Sequence, residues 1–192
     1  MGNDTPPGSA TLGLRFFLAA LTMFFGAGMV LYVAVRTGRL GQFSGPTDAE
    51  IAIPGLFWFS TFVILGASVL LEGAVLWSRG GGTRGARRFV LGATALSYLF
   101  LILQIPGSIF LLRAHRAGAE EGMFLYGLVL VLVVLHGLHV VGGLIPLTMT
   151  AVRSSSGATD ALDPLRLRHL ATYFHFLTIV WLVMFNVFLL AG

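Results

Sequence analysis

The sequence predicts an all-α integral membrane bundle of five transmembrane helices, with the amino terminus cytoplasmic and the carboxyl terminus outside. Two observations predict the fold class. The 192 residues are 56% hydrophobic and only 10% charged, with a mean hydropathy of +0.89, a mix that suits lipid as solvent better than water. A hydrocarbon core about 30 Å thick also needs roughly 20 apolar residues as helix, and five stretches meet that length. A third observation, the distribution of arginine, predicts the orientation.

The first helix spans about 14–36; its apolar run Phe16–Val35 is too long for a signal-peptide core, and Arg36 and Arg39 follow as stop signals. A Gly-rich connection with Pro46 leads to the second helix, about 53–77. Ser78–Arg88 then carries Gly80, Gly81 and Gly82 with Arg79, Arg84, Arg87 and Arg88, ahead of a third helix at about 89–112. The fourth helix, about 122–150, follows Arg113–Glu121. The fifth, about 169–190, follows Arg153–Arg168, where Ser154–Gly157 suits a flexible link. Backbone groups in lipid must bond internally, and the runs lack the period-two alternation of a barrel, so residues 1–192 form one helical membrane domain. No inverted repeat of the transporter kind is visible.

All twelve basic residues are arginines placed between the apolar runs, so they face headgroups and water rather than forming a nucleic-acid surface. The chain has no cysteine, which excludes disulfides, iron–sulfur clusters and thiolate-bridged copper.

Polar groups inside the spans need a reason, because a charge at a helix centre costs on the order of 2.5–3.5 kcal/mol on insertion. Glu72 is the only carboxylate there. It is either a proton-relay or ion-coordinating group, or a carboxyl paired with a nearby arginine such as Arg79; the ion pair is the preferred reading. His136 and His139 lie three apart on the fourth helix and share a face, with Gly143 one turn on. His175 stands near the start of the fifth helix. Such imidazoles either crosslink helices four and five by hydrogen bonds or ligate a b-type haem; against haem, an i, i+3 pair on one helix cannot reach both faces of one ring. Pro146 leaves the Gly142 carbonyl without its helical donor, and glycine there permits close helix approach.

The segment His136-Gly137-Leu138-His139-Val140-Val141-Gly142-Gly143 resembles the HGLHV-x-x-G signature of subunit III of haem-copper terminal oxidases. Tyr173-Phe174-His175-Phe176-Leu177-Thr178-Ile179-Val180-Trp181 is similar to that family's last helix, roughly Y-W-H-F-V-D-V-V-W. Phe17-Leu18, Phe24-Phe25, Tyr32 and Arg36 look like its first helix in the five-helix form, and Leu103-Gln104 like the L-Q of its next-to-central span. There are departures: Leu21 stands where the family has a buried Glu, Thr178 where it has Asp, Gly107 where a Glu commonly follows Gln104, and Phe174 where it has Trp.

The resemblance implies a divergent five-helix accessory subunit of a respiratory haem-copper oxidase in a bacterial inner membrane. Such a subunit has no catalytic centre or metal of its own. It binds phospholipid between its helices and sits with the catalytic subunit I and with subunit II, which hold the haems and copper. His136, Gly137, His139, Gly143, His175 and Trp181 are then structural motif residues. The residues agree on their own account: His136, His139 and His175 are too few to ligate two haems and a copper. The alternatives are a nitric oxide reductase subunit, a haem-bearing quinol oxidoreductase anchor, or a small transporter built on Glu72, His136 and His139.

Orientation follows from eight arginines on one side (Arg15, Arg79, Arg84, Arg87, Arg88, Arg153, Arg166, Arg168) against four on the other (Arg36, Arg39, Arg113, Arg116). A reporter active only outside the cytoplasm should therefore work when fused after Gly192 and fail when inserted at Gly80–Gly82; the reverse pattern refutes the orientation.

Overall fold

The computed structural model describes residues 9–39, 55–117 and 123–191. Pro46, Asp48, Glu50, Glu120 and Glu121, in the two connections on the less arginine-rich side, lie outside the described residues. Five helices make up the described chain: α1 (Ser9–Arg36), α2 (Leu56–Arg79), α3 (Thr83–Ala117), α4 (Met123–Ser155) and α5 (Pro164–Ala191). All five are long and apolar enough to cross a membrane, and no strand occurs among the described residues. Large apolar side chains point outward from the bundle, as at Phe16, Met23, Phe62 and Leu190, which is what a lipid-facing surface requires.

The helices run longer than the apolar stretches that betray them. α3 begins at Thr83 rather than near 89, so Arg84, Arg87 and Arg88 belong to its first turns; α5 begins at Pro164 rather than near 169. Helical hydrogen bonding does not stop at the hydrocarbon edge, and arginines extend a helix into the headgroup layer as readily as into water. Only Gly80–Gly82 then remains to join α2 to α3. Gly81 takes φ +75°, a left-handed conformation that glycine adopts without strain, and Gly82 N–H bonds the Trp77 carbonyl at 2.9 Å.

The α4–α5 link is not the slack tether that Ser154–Gly157 suggests. Ser154 and Ser155 finish α4, and Gly157 turns the chain at φ +88°. A 3-10 turn at Thr159–Leu162 then buries Ala161 and Leu162. Ser78 donates to the Leu162 carbonyl, which ties this turn to the end of α2, and Arg153 pairs with Asp160. Asp163 caps α5 through Oδ2, which accepts from the Leu165 and Arg166 amides at 3.1 and 3.0 Å, with Pro164 in the first helical position.

α2 and α3 form the most extensive pair, α4 packs on α3, and α5 lies over α2 and against α4. α1 is peripheral and docks mainly on α5 and α4, through Leu21, Phe25, Tyr32 and Val35. Loss of the α5 cap should be felt without loss of the fold: Asp163→Ala is expected to lower the stability of the detergent-purified chain by about 1 kcal/mol, read as a fall in its thermal midpoint against Asp160→Ala as the exposed control.

Candidate functional site

The motif residues of α4 and α5 meet at the centre of the bundle. Trp181 is buried and its indole N–H donates to Thr61 Oγ1 on α2 at 2.9 Å. Around it stand Phe57 of α2 and Phe100 of α3, both edge-on at 5.5 Å, with Phe185 stacked at 6.1 Å. His136 of α4 lies tilted against the indole at 5.4 Å and meets Phe100 and, on α1, Phe25. Rings from all five helices therefore share one contact network.

The histidines do not crosslink α4 to α5 as the sequence suggests. His136 is fully buried, and neither ring nitrogen has a hydrogen-bond partner. His139 does share the His136 face, since both rings approach Phe25, but its Nδ1 lies 2.7 Å from the Leu135 carbonyl of its own helix. What joins α4 to α5 at this level is the Tyr173 hydroxyl, which donates to the backbone carbonyl of His139 at 2.9 Å. Gly143 makes that approach possible: a Cβ there would fall 2.5 Å from Tyr173 Cε1 and 3.2 Å from Phe174 Cε2. Gly137 has open space where its Cβ would be, so its motif position is not explained by packing within this chain.

Glu72 pairs with His175 rather than with Arg79. Its Oε2 lies 3.3 Å from His175 Nε2, and the other ring nitrogen, Nδ1, is hydrogen-bonded to Ser68 Oγ. Arg79 and Arg168 line the same small polar pocket without bonding the carboxylate. His136 is enclosed by aromatic rings, and His175 has both nitrogens engaged. Thr61, Ser68 and Tyr173 complete the site. Ser68 and Glu72 stand one turn apart on α2, a spacing that places them on one face and is the signal that would have found the pair.

No family model matches the chain. Similarity to known proteins nevertheless runs almost from end to end. The probable cytochrome c oxidase subunit 3 of Mycobacterium leprae is 27% identical over 184 residues, 94% of this chain and 87% of the relative. The cytochrome bo(3) ubiquinol oxidase subunit 3 of Pseudomonas putida is 29% identical, over 94% of this chain and 85% of its own length. Cytochrome c oxidase subunit 3 of Alkalihalophilus pseudofirmus is 24% identical over 94% and 86%. Over nearly all of its length, then, the chain is similar to subunit III of haem-copper oxidases.

Where this chain departs from the subunit III pattern, the bundle closes without carboxylates. Leu21 is buried in the apolar core, and Thr178 turns its hydroxyl onto the Phe174 carbonyl of its own helix at 2.8 Å. Phe57 packs so closely on Gly107 that any side chain at 107 would meet its ring. Bulk at the α4–α5 contact should accordingly matter more than the His139 imidazole. Gly143→Leu is expected to cost about 1–3 kcal/mol through overpacking. His139→Gln should cost less than about 1 kcal/mol, since an amide keeps some hydrogen bonding. The measurement is the thermal midpoint of the purified chain; an equal or larger loss in His139→Gln contradicts the packing account.

Proposed function

We propose that this chain is the accessory, non-redox subunit III of a respiratory haem-copper oxidase in a bacterial inner membrane. It is seated beside the catalytic subunit I and near subunit II, which carry the haems and copper. The observation that carries the reading is the pairing of similarity over 94% of the chain with the structure of its two best motifs: the α4 and α5 segments meet in one aromatic centre. Relatives named for cytochrome c and for ubiquinol share this subunit, which supports a donor site on other chains of the complex.

The subunit's work is then mechanical. It presents a rigid helical face to the catalytic chain and holds lipid at its flank. A groove of about 760 Å³ along α3, α4 and α5 has apolar walls at Leu101, Leu144, Ile145 and Met149 and ends at Arg153 and Arg166. An acyl chain fits the walls, and the guanidinium of Arg166 suits a lipid phosphate.

Gentle detergent purification from the native membrane, with identification of the bound chains, tests the reading. The subunit should copurify with a chain that binds haem and copper, and the isolated subunit should show no reducible Soret or α-band. A haem spectrum from the subunit alone, or its purification free of any oxidase chain, overturns the assignment.

A further inference from the structure

We propose that Glu72 and His175, backed by Ser68, form a proton-exchange site that opens through a polar pocket toward the arginine-rich end of the bundle. This goes beyond the oxidase reading and does not depend on it.

Depth is the first argument. α2 has 24 residues and so is about 36 Å long. Glu72 lies seven residues before Arg79, about 10 Å along the axis from that end. With the helix centred in a hydrocarbon layer of about 30 Å, the carboxyl stands roughly 7 Å inside the boundary. Yet the side chains of Glu72 and His175 are 51% and 40% exposed on the bundle surface. An ionised group so placed needs water or a charged partner, since acyl chains offer neither.

A route for water is present. A pocket of about 230 Å³ runs beside Glu72, Thr172 and His175 to Arg79 and Arg168, room for on the order of seven waters. The charged groups that face the pair are these two arginines, one on α2 and one on α5. Of the other elements, α3 meets α2 with Phe89 and Leu96, and α1 meets α5 where Thr11 Oγ1 lies 3.1 Å from His169 Nε2.

The bonding suits two protonation states. With a neutral ring, Nε2–H donates to the Glu72 carboxylate and Nδ1 accepts from the Ser68 hydroxyl. When a hydronium ion in the pocket gives its proton to the ring and leaves as water, both ring N–H groups donate. Ser68 Oγ then accepts and turns its own proton to a carbonyl one turn back on α2. Release is the reverse, and no other bond changes. A hydroxyl is both donor and acceptor, so it serves either state.

The test uses the full chain in phosphatidylcholine nanodiscs, with ¹⁵N-labelled histidine and ¹³C-labelled glutamate. In the wild-type chain, the contact between a ring nitrogen and the Glu72 carboxyl carbon identifies His175 without any substitution. The ring N–H protons of that resonance should exchange with deuterium from the buffer. Glu72→Gln should slow that exchange severalfold, because the carboxylate that accepts from Nε2–H is gone, and Ser68→Ala should leave exchange intact while altering the Nδ1 shift. A His175 ring that fails to exchange with buffer, or exchanges at the same rate in Glu72→Gln, overturns the proposal.

Discussion

Everything in this bundle is referred to the indole of Trp181. In lipid there is no hydrophobic drive to press one helix on another, so association rests on close packing and on a few hydrogen bonds between helices. Trp181 supplies both at one place: its N–H reaches Thr61 on α2, and its faces and edges meet Phe57, Phe100, His136 and Phe185. Edge-to-face pairs of this kind contribute about 0.5–1.5 kcal/mol each beyond their buried area. Five helices that would otherwise slide past one another in a uniform solvent are thereby given a register. His136 is part of that arrangement for its shape. Its nitrogens are unbonded in the middle of the bundle, and an unsatisfied buried polar group costs about 1–3 kcal/mol. The aromatic contacts on both sides of the ring offset that cost.

The number and order of the helices are legible in the sequence because each apolar run reports directly on the solvent it must meet. Their ends are not. The hydropathy of Thr83–Arg88 falls where the helix is only leaving hydrocarbon, so a reading by apolarity stops α3 six residues short. Asp163 and Pro164 show the opposite case: a cap and a first-turn proline are local signals, and they mark the start of α5 more accurately than its apolar run does.

The polar residues divide in the same way. That His136 and His139 share a face is a property of helical spacing and holds, since both meet Phe25. Which groups they bond is a property of neighbouring helices, and the sequence carries no local trace of it. Arg79 is a reasonable partner for Glu72 when only α2 is considered, because seven residues bring it back to the same side. The imidazole that takes the place comes from α5, 103 residues away. The same applies to Tyr173, whose hydroxyl rather than a histidine ring bridges α4 and α5. The missing carboxylates at Leu21 and Thr178 are visible in the sequence, but only the structure tells that each position is closed by apolar packing or by the helix's own backbone.

The peripheral place of α1 bears on how the protein is made. Its contacts are with α4 and α5, and Met123, where α4 begins, is synthesised 87 residues after Arg36. α2 and α3, joined by three glycines, meet each other as soon as both have entered the bilayer. The first helix therefore enters lipid before its partners are made, and its own apolar run has to hold it there until the last two helices arrive. Phe25 and Tyr32 spend that interval facing acyl chains. Their rings then exchange lipid for protein at little cost in solvation, so the final step of assembly is a docking of preformed helices rather than a collapse.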